Sequence, residues 1–130
     1  MCIRALGTGY YPDPSALEGG FLDAHGKPLC TLQDYLEGFA PDDRFQRTGF
    51  PAYVSAAMDP KSTLQRRTIT IKELEREYAC YIPVKVCDTG DAFIGKGDSR
   101  IDLCTRSRKD SESDVINGML TLELVEESSS

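Results

Sequence analysis

A small all-β barrel is the fold this sequence predicts, and three observations predict it. The chain carries several short runs with alternating apolar residues, joined by long polar connections. Glycine and proline punctuate those connections, as turns require. At 130 residues, 40% hydrophobic and 28% charged, the chain is bounded to one ordinary globular domain, 1–130, with one core.

The first strand is predicted over Cys2–Thr8, with Ile3, Ala5 and Gly7 on one face. Tyr10-Tyr11-Pro12-Asp13-Pro14 stops it, because proline lacks the donor a ladder needs. Residues 15–30 read as loop. Leu32, Tyr35, Leu36 and Phe39 recur at helical spacing, so a short helix is predicted at about 32–38. Thr31 is its N-cap and Gly38 its end. A polar loop, 41–51, leads to a small-residue strand over 52–58.

Residues 60–67 are basic and polar. Thr68–Ile71 reads as strand and Ile71–Tyr78 as a helical turn, with Glu73 and Glu77 facing solvent. Tyr81–Cys87 alternates, placing Ile82, Val84 and Val86 on one face and extending that face to Asp88. A glycine-rich turn over 90–97 precedes a strand at Arg100–Cys104, and 105–114 reads as a solvated loop or helix. Met119–Val125 closes the fold with Leu120, Leu122 and Leu124 on one face, and the polar end, 126–130, reads as a frayed tail.

Three aspartates close apolar runs: Asp59 after Ser55-Ala56-Ala57-Met58, Asp88 after Val86-Cys87, and Asp102 after Arg100-Ile101. Carboxylates gathered from several strand ends can hold one acid protonated, because like charges a few ångströms apart do not all ionise. A glycan-cleaving acid needs that property. Asp91 and Asp98, in the glycine-rich turn, read as solvated.

Charge argues against other classes. With 15 basic and 21 acidic residues the chain is a poor partner for nucleic acid, which needs clustered Lys and Arg. No window is apolar enough for a membrane span. The five cysteines lack C-x-x-C spacing and His25 is the single histidine, so no zinc site is expected and no cofactor is implied. Buried free thiols are the simplest reading of the cysteines, and one or two disulfides after export the other. The opening Met1–Gly7 has no stretch long enough for a signal peptide. Delivery without one fits an injected toxin with an immunity protein in its producer, a phage lysis enzyme, or a piece of a longer protein.

Four stretches together resemble the 3D (three-aspartate) domain: Gly9-Tyr10-Tyr11-Pro12, Ala57-Met58-Asp59, Asp88-Thr89-Gly90-Asp91-Ala92-Phe93-Ile94-Gly95-Lys96-Gly97, and Arg100-Ile101-Asp102. That domain is similar to the catalytic barrel of membrane-bound lytic transglycosylase A, where a segment like Thr8-Gly9-Tyr10-Tyr11 also occurs. The similarity runs from about 5 to 125 and is most specific over 86–104. It implies a six-stranded double-psi β-barrel with one or two short helices, cleaving peptidoglycan glycan strands without water, in the periplasm or cell wall.

By the same resemblance Asp102 is the catalytic acid and base, Asp88 sits beside it in a groove, and Asp59 completes the trio. For Asp59 a turn or cap role is the structural alternative. Thr8, Tyr10, Tyr11, Thr89, Gly90, Lys96 and Arg100 form the substrate-binding set. Tyr10 and Tyr11 stack on a sugar or pack in the core, and for Thr89 and Gly90 a turn role is the structural alternative. Lys96 and Arg100 are expected to take acetamido, lactyl or peptide carboxylate groups, away from the Asp102 oxygens. To act near neutrality Asp102 must titrate well above the ordinary carboxylate range, through partial burial and the charge of Asp88. The segment Lys61–Arg67, near Asp59, departs from the family's pattern, which has Leu-Gly and a short strand after the middle strand.

Two other classes compete. A non-catalytic carbohydrate-binding barrel, expansin-like or barwin-like, would need an aromatic platform from Tyr10, Tyr11 or Tyr53, since the chain has no tryptophan. A retroviral-type aspartic protease would pair two Asp88-Thr89-Gly90 segments, but Asp91 puts a charge where a small residue is wanted.

Overall fold

A computed structural model describes residues 2–11, 22–38, 40–41, 47–48 and 52–125. The strands are β1 (Cys2–Tyr10), β2 (Ala40–Pro41), β3 (Arg47–Thr48), β4 (Val54–Met58), β5 (Thr68–Ile71), β6 (Val84–Thr89), β7 (Arg100–Cys104) and β8 (Gly118–Leu124). The helices are α1 (Leu32–Glu37), α2 (Lys72–Tyr78) and α3 (Arg108–Ser111), with a 3-10 turn at Asp91–Phe93. The fold is mainly β. Pro12, Pro14, Phe39 and the polar tail lie outside the described residues.

Six strands share one sheet in the order β1-β7-β4-β6-β5-β8, and β8 pairs back onto β1 so that the order closes on itself. Two contacts in this ring are parallel, β1 with β7 and β4 with β6, and the rest are antiparallel. The small pair β2–β3 lies apart from it.

Alternation fills the core. Ala5, Val54, Ala56, Met58, Ile69, Ile71, Ile82, Val84, Val86, Ile101, Leu103, Leu120 and Leu122 form one buried cluster. Helix α2 adds Leu74 and the turn before β8 adds Ile116. Burying each Val, Leu, Ile or Met side chain of this cluster contributes about 1.5–3 kcal/mol.

The short helix forms as its sequence predicts. Thr31 caps α1 by accepting from the Asp34 N–H at 2.9 Å, and Gly38 ends it with φ 79°, a left-handed value that favours glycine. Glu73 departs from expectation. Its carboxylate does not face solvent but accepts from the Thr121 N–H at 2.6 Å and the Thr121 hydroxyl at 2.9 Å, tying α2 to β8. Those bonds hold it below the usual carboxylate range although partial burial opposes them. The five cysteines are unpaired, and they divide: Cys30, Cys87 and Cys104 are buried, whereas Cys2 and Cys80 are exposed.

Gly7 and Gly9 have a packing reason. A Cβ on Gly7 would lie 2.3 Å from Ile116 O and Leu120 Cδ1, and one on Gly9 would lie 2.8 Å from the Ser111 backbone. Both positions therefore let β1 press against the α3–β8 segment. The alternate residues, Thr8 and Tyr10, share the opposite face.

Candidate active site

The ring brings Asp88 and Asp102 to the two strands flanking β4. Ala57 registers with Asp88 on one side and with Asp102 on the other. Two strand spacings separate their backbones, about 10 Å. A β-bulge puts Asp88 in this register: Ala56 pairs with Val86 and Ala57 with Asp88, so Cys87 is the extra residue.

Strand β1 connects the two carboxyls. Thr8 registers with Asp102 and its hydroxyl donates to Asp102 Oδ1 at 2.6 Å. Two residues on, the Tyr10 hydroxyl donates to Asp88 Oδ2 at 3.4 Å, a long contact. The end of β1 is fixed by Thr105, whose N–H and hydroxyl both donate to Tyr10 O, at 2.7 and 2.8 Å.

Burial is the first cause of both carboxyls' shifts, and it favours the neutral acid. Asp102 is pushed up by desolvation, against the Thr8 hydrogen bond and the Arg100 charge. Asp88 is also pushed up by desolvation, with help from the charge of Asp23 and against N–H donors from Thr89 and Ala24 and the Tyr10 hydroxyl. Of the two causes read from sequence, partial burial and the Asp88 charge, it is burial that raises Asp102. Between them, the Tyr10 phenol is driven well up by burial, then by Cys104, Asp88, Cys87 and Asp102. It stays protonated and can donate.

Asp59 stands in a different setting. It is 3% exposed, and its carboxylate accepts from the Lys61 N–H at 2.9 Å and the Gly97 N–H at 2.8 Å. The Lys61 and Gly97 amides, with lesser help from Gly95 and Lys96, hold it below the usual carboxylate range. Successive amides curled around an anion form a nest. Asp59 thus pins the glycine-rich turn to the end of β4, which is the turn role that sequence left as its alternative.

Asp98 is not solvated as sequence predicts. It accepts from Ser62 Oγ, from the Thr63 N–H at 2.9 Å and from Thr63 Oγ1 at 2.6 Å. The side chain of Asp91 lies outside what is described.

The remaining substrate-binding candidates scatter. Tyr10 is half-buried and committed to Asp88, while Tyr11 is 41% exposed and open to a ring. Thr89 is exposed beside Asp88, and Gly90 packs on Phe93, which a Cβ there would meet at 2.9 Å. Lys96 is exposed. Arg100 lies with its guanidinium carbon 5.5 Å from the Phe93 ring centroid, and its charge reaches Asp102. The expectation that Arg100 keeps clear of Asp102 is therefore not met: β7 places it two residues away on the same face.

Sequence reasoning missed Gln65. Its amide donates to the carbonyls of Met58, Asp59 and Asp88, at 3.2, 3.2 and 3.1 Å. It staples the ends of β4 and β6. The segment 61–67, which departs from the family's pattern, builds this staple and the Asp98 clamp. Asp59-Pro60-Lys61-Ser62 is a turn signature that could have signalled the clamp.

Among the described residues no three His, Cys, Asp or Glu side chains group as metal ligands, and no helix is long and apolar enough to cross a membrane. No family model, curated protein or solved structure matches this chain.

Proposed function

We propose that this protein is a lytic transglycosylase of the three-aspartate kind, with the six-stranded ring a double-psi β-barrel. The fold reading is supported by the two parallel contacts, β1–β7 and β4–β6, on either side of the antiparallel β7–β4 contact. One observation carries the function. Thr8 and Tyr10, adjacent on one face of β1, reach Asp102 and Asp88 on two other strands.

The reaction needs one proton carrier. Protonated Asp102 gives its proton to the oxygen joining N-acetylmuramic acid to N-acetylglucosamine. The muramyl C1–O bond breaks and the N-acetylglucosamine hydroxyl leaves. The Asp102 carboxylate then takes the proton of the same muramyl sugar's C6 hydroxyl as its oxygen closes on C1. The product is a 1,6-anhydro ring, and no water is consumed. Ordinary glycoside hydrolysis uses a second carboxylate as nucleophile or base. Asp88, about two strand spacings away, here binds and polarises the substrate with Tyr10.

The polymer acted on is peptidoglycan, in the periplasm or wall of the producing cell or of a target cell. If the protein is an injected toxin, its producer holds an immunity protein. The test is mass spectrometry of digested sacculi. Anhydro ends, about 18 Da lighter than hydrolysed ends, are expected from the wild type and not from Asp102→Asn. Binding to sacculi with no released fragments would favour the non-catalytic carbohydrate-binding barrel instead.

A further inference from the structure

A pocket of about 210 Å³ opens beside the candidate site, lined by Asp23, His25, Lys27, Tyr53, Arg66, Lys85 and Cys87. Its charge runs against that of the chain. Lys27, Arg66 and Lys85 bring three basic side chains against the one carboxylate of Asp23, in a protein whose formal net charge is −6. Among the described residues none of the three makes an ion pair with a carboxylate. Asp23 is already occupied: its Oδ1 accepts from the His25 N–H at 2.8 Å and the Lys27 N–H at 3.0 Å. Like cations around a concave wall focus a positive potential into it and attract an anion.

The walls give the rest of the shape. Lys85 Nζ lies 5.4 Å from the Tyr53 ring centroid, so an aromatic face and an ammonium sit together. Arg66 holds a left-handed backbone, φ 67°, while its N–H donates to Val86 O at 2.7 Å. That conformation is costly for a residue with a side chain, and such costs recur where a ligand is held. The volume lies below the range of about 300–1,000 Å³ typical of whole small-molecule sites. It suits one arm of a larger ligand. The pocket joins the candidate site directly: Cys87 precedes Asp88, and Asp23 and the Ala24 N–H both act on the Asp88 carboxyl.

We infer that this pocket is a subsite for a carboxylate-bearing arm of the substrate, gripped by Lys27, Arg66 and Lys85 with its adjoining amide or ring plane against Tyr53. The inference rests on the proposed glycan substrate, in which two groups share that chemistry: the lactyl carboxylate of muramic acid and the carboxylates of a stem peptide.

The experiment is an NMR titration of ¹⁵N-labelled protein with probes that have no bond to cleave. One is a free stem tripeptide, one the same peptide with its carboxylates amidated, and one N-acetylmuramic acid. The inference expects the amides of His25, Lys27, Arg66 and Lys85 to shift with the tripeptide or with N-acetylmuramic acid, and the stronger of the two identifies the source. Amidation, Lys85→Gln or Arg66→Gln should each weaken binding by about tenfold, equivalent to about 1.4 kcal/mol. Lys27→Gln, in the exposed loop, guards against misfolding of the other two. Equal binding of the amidated and free peptides, or no shift at these amides with any probe, overturns the inference. Parallel digests of sacculi keep the two proposals apart. Anhydro products with KM unchanged in Lys85→Gln and Arg66→Gln would sink the subsite alone. Carboxylate-dependent binding without any cleavage would sink the transglycosylase reading alone.

Discussion

Around Asp59, backbone N–H groups of Lys61 and Gly97 occupy the carboxylate, with Gly95 and Lys96 close behind. Around Asp102, one hydroxyl donates, and the strand on either side has its amides committed to the sheet. Asp59 has the smaller solvent exposure, 3%, but lies under a thin cover near the surface, and it is held below the ordinary carboxylate range while the more deeply set Asp102 is held above it. Low solvent exposure alone therefore does not set the direction; the weight of protein around the carboxyl and the donors aimed at it do. Desolvation favours the neutral acid in both places, and only a nest of amide donors reverses it. A protein that needs one clamp and one acid from the same side chain can make both by changing the local backbone.

The comparison breaks most visibly at Asp102. Asp102→Asn keeps the shape and the Thr8 contact but removes the proton carrier, so release of anhydro products should fall by about 10³-fold or more. The same change removes a carboxylate that burial disfavours. Its melting temperature at pH 7 should therefore rise by a few degrees, read by calorimetry; a fall would mean that Asp102 is not desolvated at a cost.

Asp59→Ala should act oppositely, lowering the urea midpoint because amides near the glycine-rich turn lose their acceptor. Its pH signature follows from the direction of the shift. A carboxylate held below its unfolded value stabilises the fold above that value, and the contribution is lost as pH falls through the folded one. Urea midpoints of the wild type should thus drop between about pH 5 and pH 2, and the difference from Asp59→Ala should close over the same window. Asp98 is lowered for the same reason, with Ser62 and Thr63 as donors, and adds to the slope in both proteins.

Gln65→Ala sharpens the comparison by loosening the staple between the two regions. A cost of about 1–2 kcal/mol is expected, with faster hydrogen exchange at the ends of β4 and β6. Thr8→Val is the mildest. The hydroxyl lowers Asp102, so its loss should move the alkaline limb of the pH–rate profile upward and reduce turnover by no more than about tenfold. A limb that moves downward would contradict the assignment of Asp102 as the acid.

Strand periodicity made most of the fold legible in the sequence. The runs 68–71 and 100–104 coincide with β5 and β7, and the cap and stop of the 32–38 helix are Thr31 and Gly38 as read. Strand order was not legible from periodicity, because ring pairing such as β1 with β7 joins residues nearly a hundred positions apart. The special surroundings of Asp88 and Asp102 were readable from their position after apolar runs. What separated Asp59 from them was not, since amide donors from 95–97 arrive through tertiary folding and leave no mark in side-chain type. Gln65 escaped for a related reason: its three acceptors are carbonyls, which every residue carries. Glu73 and Asp98 looked solvated because a charged residue in a polar stretch usually is, and only the fold supplies Thr121 and Ser62–Thr63 opposite them.

The protonation contrast itself is the most direct point of attack. Carboxyl carbons of ¹³C-labelled aspartates can be followed by NMR from low to neutral pH, with Asp102→Asn and Asp59→Asn assigning the two signals. Asp102 should titrate above the ordinary aspartate range and Asp59 below it. If the two titrate together, or in the reverse order, the buried proton at position 102 does not exist and the proposed chemistry falls with it.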